Sequence, residues 1–266
     1  MTEVILDISK SVEKNAEIYY EKAKKAKKKL EGAKEALLKS AERLEKLKQE
    51  KEEILEKIKE EKEKKARKRP KKEWYEKFRW FFTSSGFLAV GGRDATTNEL
   101  VIKKHTEKND LVFHTDMAGS PFFVIKSEGR EIDKKSIIET AEATASYSRA
   151  WKAGLATLDV FYVKPEQVSK TTEPGEYMAK GSFMIRGETT YLHPNIKLAI
   201  GITAEGKIMG GPVSAIKKNC KDYVMIAQGN EKASDAAKKI RKLLGGELDD
   251  IIRAMPAGGV RIAKKT

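Results

Sequence analysis

The segment His114-Thr115-Asp116-Met117-Ala118-Gly119-Ser120 places an imidazole and a carboxylate two positions apart. In a strand two such residues share one face, which suits a metal ligand pair or a general base with its partner. The chain has three histidines, His105, His114 and His193, and no H-x-H or H-E-x-x-H pattern. A hydrogen-bonded structural histidine is therefore the favoured reading of His114. Ser120 lacks the G-x-S-x-G elbow of serine hydrolases. A second segment, Gly91 to Glu99, sets a Gly-Gly pair and Arg93-Asp94 between a strand and a helix start. Backbone amides in such a turn can cradle a phosphate. The competing reading is a tight turn in which Asp94 caps the helix and Arg93 pairs nearby. The segment has neither a Walker lysine nor the G-x-G-x-x-G spacing. If His114, Asp116 and Asp94 converge, the chemistry is that of a metal-assisted nuclease or phosphotransferase.

Charge points elsewhere. The formal net charge is +14, which favours polyanionic partners, nucleic acid before membrane. From Lys62 to Lys72 eight basic residues face one glutamate. This run, with Lys68, Arg69, Lys71 and Lys72 at its end, leads into Arg79 and the aromatic cluster Trp80, Phe81 and Phe82. The expectation is RNA contact through the run and the Gly-Gly-Arg-Asp turn as one surface, with the aromatics anchoring the helical arm. Tyr147 and Trp151 are spaced i, i+4 beside Arg149 and Lys152. Such a pair can stack bases, but core packing is the favoured reading. Cys220, in a polar stretch, is the single cysteine. It reads as an incidental thiol, with no disulfide or cysteine metal site, and fits a reducing cytoplasm. No apolar run approaches the roughly 18–20 residues that span a bilayer.

Positioning these residues requires two kinds of structure. Hydrophobic residues make up 39% of the chain and charged residues 35%, which suggests a globular part plus a solvated helical part. Ser9 to Arg69 contains no proline and one glycine. Val12, Ala16, Tyr19, Ala23, Ala26 and Leu30 begin a 4-3 spacing that continues through Leu37 and Leu44 to Leu47, then to Ile54 and Ile58. This is coiled-coil spacing. Its unbroken phase predicts one helix on the order of 90 Å that needs a partner, such as a second copy. Pro70 ends it. From Glu73 onward, short apolar runs bounded by Gly, Pro, Asn or Asp read as strands. Helices are expected over "ATTNELVIKKH", over the segment from Asp133 to Gly154, and over "PVSAIKKN" and "EKASDAAKKIRKLLGG". The fold class is α+β: a mostly antiparallel sheet with flanking helices (73–266), preceded by a long N-terminal coiled-coil arm (1–72).

"KKEWYEKFRWFFTSSGFLAVGGRDATTNE", "DLVFHTDMAGSPFFVIK", "TAEATASYSRAWKAG", "VFYVKPEQVSK" and "KGSFMIRGETTYL" occur in order. Together they resemble the NFACT-R domain of the NFACT family, and "SVEKNAEIYYEKAKKAKKKLEGA" resembles the coiled coil preceding it. The resemblance implies ribosome-associated quality control: binding to a large ribosomal subunit obstructed by peptidyl-tRNA, with rRNA and tRNA as contacts. It also implies a coiled-coil hairpin, and an N-terminal domain outside this chain that holds the family's tailing-linked Asp-Arg pair. The reading is a cytoplasmic, noncatalytic RNA-binding fragment with no cofactor, no metal and no membrane partner. Its candidate RNA contacts are Lys68, Arg69, Lys71, Lys72, Arg79, Arg93, Asn98, His114, Lys126 and Arg149. A purely structural dimeric coiled coil with a globular cap is a third reading.

Overall fold

The computed structural model describes residues 5–67, 72–170 and 179–265, with 57–67 and 264–265 through their backbone. Lys68, Arg69 and Lys71 lie outside the described residues. The chain divides into two compact units, Met1–Lys72 and Glu73–Thr266.

Among its described residues the first unit holds one helix, α1 (Val12–Arg67), about 84 Å long at 1.5 Å per residue. The hairpin implied by the family resemblance does not form within it. No proline interrupts these residues, and alanine, leucine, lysine and glutamate all favour helix. Pairs such as Lys39–Glu35 at 3.0 Å lie along its surface. The heptad seam is uncovered: Leu37 is 71% exposed and Leu44 57%.

The second unit is built from β1 (Arg79–Phe82), β2 (Leu88–Gly91), α2 (Ala95–Lys104), β3 (Leu111–His114), β4 (Phe123–Ile125), α3 (Lys134–Ser146) and α4 (Arg149–Ala153). There follow β5 (Val160–Val163), β6 (Val168–Ser169), β7 (Met184–Ile185), β8 (Thr190–Leu192), β9 (Leu198–Thr203), β10 (Ile208–Gly211) and α5 (Val213–Asn219). β11 (Cys220–Glu231), α6 (Ala233–Leu244), α7 (Leu248–Ala254) and β12 (Val260–Lys265) complete it. A six-stranded sheet runs β1-β2-β4-β3-β5-β8, a four-stranded sheet β10-β9-β11-β12, and β6 pairs with β7. Every named pairing is antiparallel, so the α+β reading holds. Period-two alternation sends Ala89, Phe113, Phe123 and Ile125 into one core with the alanines of α3 and the second sheet. Leu88, Val90, Val112 and Val124 enter another core with Val101 of α2.

Two local expectations change. Trp80 and Phe81 are buried strand residues of the main core, so they hold the sheet together. The helix expected from Asp133 to Gly154 is two helices. Asp133 caps α3 and Gly154 ends α4 in the left-handed conformation, as expected. Between them Ser148 restarts the helix, its Oγ accepting from the Ala150 amide at 3.1 Å. Hydroxyl competition for backbone donors explains such a break. Tyr147 and Trp151 are buried, in line with core packing. Trp151 Nε1 donates to the Gly259 carbonyl at 2.9 Å.

Candidate nucleic-acid interface

The antiparallel register gathers four strand ends at one end of the larger sheet. Arg79, which opens β1, pairs with Gly91, which closes β2. Gly91 pairs with Phe123, which opens β4, and Phe123 pairs with Phe113 one residue before His114, which closes β3. A cleft of about 530 Å³ lies here, lined among others by Arg79, Arg93, Asn98, His114 and Arg149. Five of the sequence candidates therefore meet in one place. Lys152 and Lys180 line the same cleft.

Arg79 is the most enclosed of the cations. Its Nη1 donates to the Met255 carbonyl at 2.8 Å, and its guanidinium lies 4.2 Å above the Tyr147 ring. Burial lowers its pKa to about 10, with the positive charge of Arg93 adding to the effect, so it stays charged at neutral pH. Tyr147 is itself pushed up to about 12 by burial and donates to the Ala254 carbonyl at 2.8 Å. Arg79 is thus held in place by the protein, with further N–H donors left over. Arg93, Arg149, Lys152 and Lys180 are exposed at the cleft, and among the described residues none makes an ion pair or donates a side-chain hydrogen bond. Arg149 is the first residue of α4, directly after the break at Ser148, and lines the cleft. Gly119, with φ 82°, leaves room for it, since a Cβ there would lie 2.5 Å from Arg149 Nε.

The Gly-Gly turn works differently from a phosphate cradle. Its amides are already engaged: Gly92 N donates to the Phe122 carbonyl at 3.0 Å, and Arg93 N and Asp94 N donate to Thr97 Oγ1 at 2.8 and 2.9 Å. The glycines are needed for space. A Cβ on Gly91 would fall 2.4 Å from the Phe123 ring, and one on Gly92 1.9 Å from Asn98 Oδ1. That oxygen accepts from Phe122 N at 3.2 Å. The Gly92→Ala variant should therefore break the Asn98–Phe122 bond and cost about 1–3 kcal/mol by overpacking. Faster hydrogen exchange at the Phe122 amide is the expected readout. Unchanged exchange with an unchanged melting temperature would refute it.

Asp94 accepts from Thr97 N at 2.8 Å and Thr97 Oγ1 at 3.0 Å, the cap of α2. These bonds, led by the Thr97 amide, hold its carboxyl below the usual range. No ion pair links it to Arg93 among the described residues. Asp116 accepts from the Tyr191 hydroxyl at 3.1 Å. Thus the carboxylates proposed for metal-assisted chemistry are committed to other partners. Among the described residues no three metal-ligating side chains form a group. Ser120 Oγ is tied to the Met117 carbonyl at 2.8 Å inside its loop. Burial pushes the Cys220 thiol up to about 12, which keeps it unreactive.

Lys126 does not belong to the cleft. Its side chain is 8% exposed and meets Asp110, itself 0% exposed, at 2.5 Å. Nζ also donates to the His105 carbonyl at 3.1 Å. Asp110 Oδ1 accepts from Ser127 N at 2.9 Å. This is an internal strut, and an unpaired buried carboxylate is what demands it. Lys72 is exposed and lies in the other unit. Lys180 and Lys152 had only weak sequence signals, as single basic residues on loop and helix. Gly119 had none beyond its place in a turn-like "MAGS".

Comparison with known proteins agrees with this geometry. Residues 77–187 match the family described as NFACT protein RNA binding domain, a span that contains every charged residue lining the cleft. The chain is 41% identical over 204 residues to the archaeal Rqc2 homolog aRqcH of Methanocaldococcus jannaschii, covering 74% of this chain and 30% of that protein. It is 37% identical to the ribosome quality control complex subunit NEMF homolog of Drosophila melanogaster, over 76% of this chain and 20% of that protein. With human NEMF the identity is 38%, over 68% of this chain and 16% of that protein. The chain thus spans less than a third of each of these relatives. A helical arm before an antiparallel α+β unit, the cationic cleft and these matches agree with the resemblance read in the sequence: the chain belongs to the NFACT family and carries that family's RNA-binding domain.

Proposed function

We propose that this chain is an RNA-binding part of a ribosome-associated quality control factor, and that its cleft holds RNA backbone phosphates. The observation that carries this reading is the concentration of Arg79, Arg93, Arg149, Lys152 and Lys180 around one concavity where, among the described residues, the one lining carboxylate, Asp94, is occupied in capping α2. Unpaired cations facing each other across a cleft repel, and phosphate oxygens relieve that repulsion. The names of the relatives support the cellular setting, since two are subunits of a ribosome quality control complex by description. The physiological partner in this reading is a large ribosomal subunit carrying peptidyl-tRNA, touched through rRNA and tRNA in the cytoplasm. Among the described residues no helix is long and apolar enough to cross a membrane.

Titration of tRNA or an rRNA fragment across salt concentrations is the test. Each neutralised phosphate contributes roughly −0.7 to −0.9 to the slope of log K against log salt. Lys68, Arg69, Lys71 and Lys72 are further phosphate contacts in this reading, so neutral substitutions there flatten the slope on all RNAs alike. Affinity no greater than that of a charge-matched control protein would defeat the proposal.

The exposed heptad seam of α1 supports self-association of the arm. Sedimentation equilibrium should show a monomer–dimer equilibrium, weakened by Leu37→Lys with Leu44→Lys. Each fully buried leucine contributes at most roughly 1.5–3 kcal/mol to such a seam. A monomer at every concentration would rule the dimer out.

A further inference from the structure

Besides its cations, the cleft holds two side-chain nitrogens that have no partner among the described residues, one on Asn98 and one on His114. Asn98 Oδ1 accepts from Phe122 N at 3.2 Å, which orients the amide and leaves Nδ2 as a spare donor. His114 Nδ1 lies 3.0 Å from the Pro121 carbonyl. A carbonyl only accepts, so Nδ1 carries the proton. Burial lowers the pKa of His114, so the ring is neutral at pH 7 and Nε2 presents a lone pair. Both residues flank Phe122: Asn98 holds its amide, and the His114 ring stacks on its ring at 3.8 Å and 5°. Both line the cleft. Neither free nitrogen is sealed from solvent, because among the described residues the one buried side-chain polar atom lacking a partner is Ser169 Oγ.

A donor and an acceptor lining one cleft on either side of Phe122 complement a group that both accepts and donates. An ionised phosphodiester only accepts, so it cannot satisfy the His114 lone pair. A hydroxyl can do both. In RNA the hydroxyl nearest the phosphate-bearing backbone is the ribose 2′-OH, the group that DNA lacks. Resting on the reading of the cleft as an RNA backbone site, we infer that Asn98 Nδ2 and His114 Nε2 together recognise the 2′-hydroxyl of a nucleotide whose phosphate the arginines hold. The 2′-OH donates to Nε2 and accepts from Nδ2. The cleft thereby selects RNA over DNA at the sugar.

The test compares three unstructured oligomers of equal length on the full chain by fluorescence anisotropy: oligouridine, oligodeoxyuridine and 2′-fluoro oligouridine. The fluoro sugar keeps the RNA-like pucker and cannot donate, so it separates hydrogen bonding from backbone shape. The expected result is about tenfold tighter binding of oligouridine than of either analogue at the same salt, the effect of one or two net hydrogen bonds. The His114→Phe variant keeps an aromatic ring against Phe122 and removes Nε2, so its preference for oligouridine over the fluoro analogue should vanish. The wild-type comparison decides even if that variant does not fold. Equal affinity for oligouridine and its fluoro analogue, with a steep salt slope on both, overturns the sugar reading and leaves phosphate binding standing. Absence of salt-dependent binding to all three overturns the RNA reading and this inference with it.

Discussion

Lys126→Met is expected to destabilise the globular unit by about 3–5 kcal/mol, the usual cost of removing one partner from a buried ion pair. Asp110, fully buried, would lose its cation and, among the described residues, retain the amides of Ser127 and Glu107 as partners. For a unit of this size each kcal/mol corresponds to roughly 2–4 °C in melting temperature. RNA affinity of the folded fraction should not change, because Lys126 Nζ is occupied by Asp110, Glu107 and the His105 carbonyl. Thermal denaturation and RNA titration of the same sample check both halves. A stable variant with weakened binding would return Lys126 to the RNA surface. Asp110→Asn with Lys126→Met together should recover part of the loss, since the buried charge is then gone.

The double substitution Arg93→Ala with Arg149→Ala is expected to do the opposite. Neither side chain has an ion-pair partner among the described residues, so the melting temperature should stay within about 2 °C, as for surface changes of roughly 0.5 kcal/mol. RNA affinity at low salt should fall on the order of a hundredfold, from two charge-assisted contacts of about 1.5 kcal/mol each. The salt slope should shrink by about 1.5. If Arg93 were instead a strut for Asp94, stability would drop and binding would survive. The two variants form a pair: one buried cation that supports the fold, and two exposed cations that the fold leaves free to bind.

Much of this molecule was legible as pattern. The 4-3 spacing from Val12 onward predicts one continuous helix, and α1 is one. Short apolar runs separated by turn residues predict an antiparallel sheet with flanking helices, and the pairings follow. Local signals such as Asp133 and Gly154 marked helix ends, because capping depends on a few adjacent residues. Net charge pointed to a polyanion, and the quoted segments pointed to the family, without any coordinates.

What the sequence could not supply was which cations remain available. Lys126 and Arg93 look alike in one dimension: each is a basic residue at the edge of an apolar run. Sheet register buries Lys126 against Asp110, 16 residues away in the chain, and leaves Arg93 beside Arg79 in the cleft. Likewise, "GGRD" reads equally as a phosphate cradle or as a tight turn capped by Asp94 until the side chain of Thr97 and the Phe122 carbonyl are seen to hold its amides. Composition and periodicity determine which faces must be buried, since hydrophobic burial is non-directional and follows the local repeat. Whether a given charge is paired or free depends on long-range register, because a salt bridge needs its partner within about 4 Å and only tertiary structure sets that distance.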